Sequence, residues 1–260
     1  RLVCYRAGGG SVGGPLLFLG HAADRTGPPI YLLHLLRWLR AEHPGVDFEI
    51  ALLAGGELEE DFADLAPTSI YRGLPPTRWD DLERSLLLRR LEAADWWWSE
   101  RRERQLRRQM QRHGDARVVY VNGARSVELA RLLPPAERVL LSHVHELEIG
   151  LTHLLHPQDR LLFLEGPRQL FAASEAVRAN LIDRHGLDPS VIVHHTEMVD
   201  ASGSAGLARS PATRAERRRA RGLPPDGLVV GSSGTLDWRK APDLFLRMVW
   251  HLAPVERAQP

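Results

Sequence analysis

The feature that most limits the fold is an alternation. Short runs, apolar at nearly every position, are separated by stretches with helical spacing. Leu16–Leu19, Phe48–Leu53, Val118–Asn122 and Val139–His143 are such runs, and Ser69–Tyr71, Gln169–Ala173 and Val191–His194 are shorter ones. Helical stretches fall between them at Ile30–Ala41, Glu57–Ala66, Ser126–Leu133 and Glu175–Arg184. A strand that is apolar throughout is covered on both faces. Such strands alternating with helices predict an α/β fold, a parallel sheet flanked by helices.

The rhythm breaks after residue 200. Ala201–Ala208 is rich in Ser, Gly and Ala, Arg214–Arg221 is basic, and Gly222, Pro224, Pro225 and Gly227 interrupt the chain just beyond it. Residues 201–226 therefore read as a linker carrying a short helix. Residues 14–200 form the first domain. Leu228–Gly231 reads as a new strand and Pro242–Leu252 as the helix after it. Residues 227–260 are then the first βα unit of a second domain, incomplete because one strand and one helix cannot bury a core. A start at Arg1 rather than methionine fits a fragment.

Charge and cysteine content exclude several classes. The 34 basic and 33 acidic side chains leave a net charge of +1, which excludes a strongly basic nucleic-acid binder and an acidic disordered chain. Cys4 is the single cysteine, so there is neither an internal disulfide nor a cysteine-based zinc site. No apolar run reaches the ~18 residues of a membrane span. Arg1, Arg6 and Pro15–Leu19 imitate a signal peptide, but the run is short and glycine-rich, and Leu16–Leu19 suits a strand better. All basic residues are arginine except Lys240.

Open parallel sheets bind ligands at the carboxyl ends of their strands, beside helix starts. The first segment so placed is Gly20-His21-Ala22-Ala23-Asp24-Arg25-Thr26-Gly27-Pro28-Pro29. Thr26 suits an N-cap, the prolines suit a first turn, and Gly27 lets backbone approach a ligand. This end would hold a phosphate or sugar hydroxyls, or would simply be a capped loop. The second is Ser142-His143-Val144-His145-Glu146-Leu147-Glu148. Its histidines and carboxylates suit metal binding, acid–base work or a hydrogen bond to a sugar hydroxyl, with metal the weakest of these because the spacing is not the His-Glu-x-x-His of zincins. The third runs from Gly231 to Asp243 and includes Gly234, Arg239 and Lys240. A cation pair at a helix start after a glycine-containing strand exit suits a diphosphate, and a solvated surface cation is the plainer alternative. The fourth is Trp96-Trp97-Trp98 followed by the seven arginines of Arg101–Arg117. It suits an interfacial helix on an anionic membrane or, more simply, a helix with a solvated charged face. His194-His195, with Glu197 and Asp200, ends the last strand of the first domain and would face an interdomain cleft, whereas His153 and His156 read as helix-surface residues.

Together these segments resemble family 4 retaining glycosyltransferases of bacteria. Leu17-Phe18-Leu19-Gly20-His21 and Arg25-Thr26-Gly27-Pro28-Pro29 are similar to the opening of these enzymes. His145-Glu146-Leu147-Glu148 is similar to their His-Glu-Leu segment, and Ala173–Leu181 to their Ser-Glu-x-Val-x-x-x-Leu helix start. Val230–Leu246 resembles the start of their second domain, which carries Gly-Arg-Leu-x-x-x-Lys-Gly.

The resemblance implies a GT-B fold, two Rossmann-like domains across a cleft, with the second truncated here. It implies a nucleotide-diphosphate sugar as donor, a glycan or lipid-linked acceptor, retention of configuration, and neither cofactor nor metal. It places Lys240 with Gly234 and Arg239 on the donor diphosphate, His145 at the catalytic centre beside the transferred sugar, and Arg25, Thr26, Gly27 and Glu146 around the substrate. The expected location is the cytoplasm, with peripheral contact at the inner membrane face and no nucleic-acid partner. Thr235 stands where the family carries a diphosphate-binding arginine, and the Glu-x7-Glu segment is not in the chain, so this polypeptide alone is expected to be inactive. Two other readings stay open: a fragment of a GT-B nucleotide-sugar epimerase, and a non-enzymatic Rossmann-like module that binds a glycan or a partner.

Overall fold

A computed structural model describes residues 14–71, 102–197, 211–224, 226–234 and 240–256. The chain divides into two compact units, Arg1–Asp200 and Ala201–Pro260.

The first unit is built on a seven-stranded sheet. Its strands are β1 (Leu16–Gly20), β2 (Phe48–Leu52), β3 (Thr68–Ile70), β4 (Val118–Asn122), β5 (Val139–Val144), β6 (Gln169–Ala172) and β7 (Ile192–His194). They lie in the order β3-β2-β1-β4-β5-β6-β7, and every neighbouring pair is parallel. The helices are α1 (Gly27–Glu42), α2 (Glu59–Ala63), α3 (102–110), α4 (Val127–Leu132), α5 (Glu148–Leu154), α6 (Pro157–Arg160) and α7 (Glu175–Asp183). This is the Rossmann-like α/β architecture that the apolar runs predict, and each strand matches its run to within one residue.

Alternate side chains feed two cores, one on each face of the sheet. Leu17, Leu19, Val119, Val121 and Leu170 pack with Leu106, Met110, Leu129 and Phe163. Phe18, Ile50, Leu52 and Tyr120 pack with Leu32, Leu36 and Phe62 from α1 and α2. Burial on both faces leaves no position for an alternating polar residue, which is why the runs are continuously apolar.

Two local readings are corrected. Thr26 occupies the N-cap position of α1, but its side chain accepts no capping bond. Its Oγ1 donates instead to Asp24 Oδ1 at 2.6 Å. Pro28 and Pro29 carry no N–H, so the first turn has little for an N-cap oxygen to bind.

Leu228–Gly231 is not a strand. A strand needs a partner for its backbone groups, and no strand is present among the described residues of the second unit. Leu228 is 87% exposed there. The second unit contains α8 (Pro211–Ala220) and α9 (Pro242–Glu256). The Arg218 guanidinium closes the turn after α8 by donating to Pro224 O and Gly227 O, at 3.1 and 2.6 Å.

The basic stretch is placed by α3. Leu106 and Met110, four residues apart, are buried in the core. Arg102 pairs with Glu128 at 3.2 Å and Arg107 with Glu103 at 2.7 Å. The apolar side of this helix therefore faces the sheet rather than lipid. Trp96–Trp98 and Arg101 lie outside the described residues. Among the described residues no helix is long and apolar enough to cross a membrane.

Candidate functional site

The sheet order creates one topological switch point. From β1 the chain winds outward to β2 and β3, and then crosses back so that β4 pairs with β1 on its other side. Such a reversal opens a crevice at the carboxyl ends of the two central strands. Here those ends are Gly20 and Asn122. β5 adds His145 and Glu146, and β7 leads into His195, Thr196 and Glu197.

His145 is the centre of the arrangement. Its Nε2 lies 3.0 Å from Asn122 Oδ1, and its Nδ1 bonds the Glu197 carboxylate. Asn122 Nδ2 donates to Pro28 O at 2.9 Å, which ties the start of α1 to the end of β4. The bond from His145 is the main reason that the Glu197 carboxyl sits below the usual carboxylate range.

Behind His145 lies a layer of buried rings. His143 stacks on it with centroids 4.2 Å apart and planes 22° apart. Tyr31, from α1, meets His143 edge-on at 4.5 Å. His143 Nδ1 shares a 2.7 Å hydrogen bond with the Tyr120 hydroxyl, and its Nε2 is buried with no hydrogen-bond partner. Burial, helped by neighbouring His145 and His195, pushes His143 down to about 2. Burial also raises the Tyr31 hydroxyl to about 12. Both groups are therefore neutral near pH ~7.

The other candidate residues are dispersed around this core. Glu146 turns its carboxylate to the helical start after β4, where Oε1 accepts from Ala124 N at 3.1 Å and Oε2 from His145 N at 3.1 Å. Burial raises its pKa, and these donors oppose the rise. Gly123 makes the approach possible: it has φ +85°, and a Cβ there would lie 3.3 Å from Glu146 Oε1 and from His145 Cδ2. Arg25 and Gly27 are exposed at the rim, and no atom lies within 4 Å of where a Gly27 Cβ would stand. With prolines at 28 and 29, Gly27 alone of the first three α1 residues has an N–H to offer an anion. His21 faces Asp24, Arg125 and His145, and burial is the main cause lowering its pKa.

In the second unit, Lys240 is exposed just before α9. A Cβ on Gly234 would lie 3.1 Å from Lys240 Cγ, so the glycine makes room for the lysine stem. Arg239 and Thr235 lie outside the described residues. Among the described residues no group of three or more His, Cys, Asp and Glu is arranged to hold a metal ion.

Asn122 and Tyr31 were not singled out from the sequence. Asn122 carried a signal, as the one polar residue ending the otherwise apolar run Val118–Asn122. Tyr31 carried none, because an aromatic residue in an apolar helix reads as core.

Comparison with solved structures places this geometry in context. The chain matches Anabaena Alr3699/HepE, solved in complex with UDP and glucose, with a TM-score of 0.51 and 16% identity over 80% of this chain and 50% of that one. The two proteins share a fold. A glycosyltransferase from Rickettsia africae ESF-5 matches with a TM-score of 0.45 and 12% identity, over 81% of this chain and 50% of that one. The chain thus spans about half the length of these two structures. No protein-family model matches the sequence, and no curated protein matches it either.

Proposed function

We propose that this chain is the acceptor-side part of a family 4 retaining glycosyltransferase, together with the opening of its donor domain. In this reading the whole enzyme transfers a hexose from a nucleotide-diphosphate sugar to a glycan or lipid-linked acceptor, without a metal or cofactor. It works in the cytoplasm, at the inner face of the membrane. The observation that carries the reading is the crevice at the β1–β4 switch point, where Asn122, His145 and Glu197 converge within a fold shared with a protein solved with UDP and glucose.

Two further features support it. The four family-like segments occur in the family's order, and two of them, Gly20–Pro29 and His145–Glu148, border this one crevice. Helix α9 exposes Leu244, Leu246, Met248, Val249 and Trp250 on several sides. A helix that is apolar all round belongs inside a larger core, as in a complete donor domain.

Transfer breaks a sugar–diphosphate bond, and the protein's task is to position two substrates and stabilise the departing charge. Lys240 is assigned to that charge, with Gly234 and Arg239 beside it. Arg25, Thr26 and Gly27 are assigned to the acceptor side. The test is product analysis with the protein encoded by the complete gene, a panel of nucleotide sugars and glycan acceptors. A glycosylated product with retained configuration is expected, and Lys240→Ala should lower kcat/KM on the order of 10²–10³. Absence of transfer across the panel, with sugar epimerisation or glycan binding instead, would replace this reading with one of its rivals.

A further inference from the structure

We infer that Glu197 is a positioning residue that keeps the His145 imidazole doubly protonated and fixed in the crevice. The purpose of that device rests on the sugar-transfer reading; its geometry does not.

The Asn122 amide has only one workable orientation. The Pro28 carbonyl can only accept, so Nδ2 must face it at 2.9 Å, and Oδ1 then faces His145 Nε2 at 3.0 Å. A ring nitrogen facing an amide oxygen must carry a hydrogen. The other ring nitrogen, Nδ1, faces the Glu197 carboxylate, an acceptor in its ionised form. That nitrogen must carry a hydrogen too. Only the imidazolium donates from both nitrogens.

The titratable groups around the ring fit one charge at this place. Glu197 and Glu146 lie on the acidic side. His21, His143 and Tyr31 are the other titratable neighbours, and burial favours the neutral form of each. His145 would then be the cation of the cluster, stacked on a neutral His143.

This changes how His145 can serve transfer. Neither N–H is left to donate to a sugar hydroxyl. The ring acts through its charge, and it favours a substrate that carries or develops negative charge beside β5, as the leaving diphosphate of a nucleotide sugar does. Glu197 sets whether that charge is present, and Asn122 sets the ring plane.

The test is nitrogen-15 NMR of the imidazole rings in this 260-residue chain, with His145→Gln identifying the His145 signals. With the bonds to Asn122 and Glu197 in place, both His145 nitrogens should report as protonated. Glu197→Gln keeps an acceptor oxygen but removes the charge, and the ratio of doubly protonated to neutral rings should fall about tenfold or more. Glu197→Ala should shift the ratio in the same direction. A neutral His145 ring in the unmodified chain, or an unchanged ratio in both variants, overturns the proposal. The measurement contains no substrate, so a protein that transfers no sugar leaves a positive result standing. Conversely, a neutral ring would defeat the proposal in a protein that does transfer sugar.

Discussion

A buried imidazole that cannot take up a proton makes the fold sensitive to acid. His143 is fully buried, and its pKa falls from 6.5 in the unfolded chain to about 2 in the folded one. Below the unfolded value, the unfolded chain binds a proton that the native chain refuses. Stability is therefore complete above pH ~6.5 and falls as pH drops, by about 1.4 kcal/mol per pH unit for this one group. Between pH ~6.5 and ~5 the expected loss is about 2 kcal/mol. Urea denaturation at these two pH values should show it, and His143→Phe should reduce the difference. His21, His113 and His195 are shifted in the same direction, mainly by burial, so a smaller slope should persist in the variant. A slope identical in the variant would mean that the His143 ring is protonated in the native state.

Element boundaries show what a sequence can and cannot reveal. The strands were legible because both faces of each are covered, and an unbroken apolar run of this length suits little else. Helix α3 was not legible in the same way. Its two core contacts, Leu106 and Met110, are spaced one helical turn apart within a run of arginines, and the charge obscured them. The packing makes a direct prediction: Met110→Ala should destabilise the chain by about 2–5 kcal/mol, as for other fully buried side chains. An unchanged denaturation midpoint would mean that α3 leaves the sheet in solution and is free for a membrane surface. The Leu228–Gly231 reading failed for a different reason. Local sequence reports β preference, but a strand exists only where another strand supplies its hydrogen bonds. The site was half legible. His145 and Glu146 stood out as polar residues closing an apolar strand, but the carboxylate of Glu146 is directed to a helix start, and Asn122 and Glu197 reach the two sides of His145 only through the sheet order.

At the scale of the whole molecule, every buried apolar residue among those described lies between Leu17 and Ile192. The large exposed ones are concentrated between Leu223 and Trp250. The first unit therefore holds both cores, and a chain ending at Asp200 should melt within about 4 °C of the longer chain, a shift equivalent to about 1 kcal/mol for a domain of this size. Scanning calorimetry of the two chains checks this, and a larger drop would show that the second unit contributes to the same cooperative transition. The pairing of β1 with β4 has a consequence during synthesis. It joins Leu16 to Val118 across roughly 100 intervening residues. A ribosome adding ~5–20 residues per second needs about 5–20 s to cover that distance. Throughout that interval the nascent chain presents one side of its first strand as an open, apolar edge, with β2 able to cover only the other. The crevice cannot form until the edge closes, so a chaperone that shields a newly made apolar edge would act on this protein before it has a site at all.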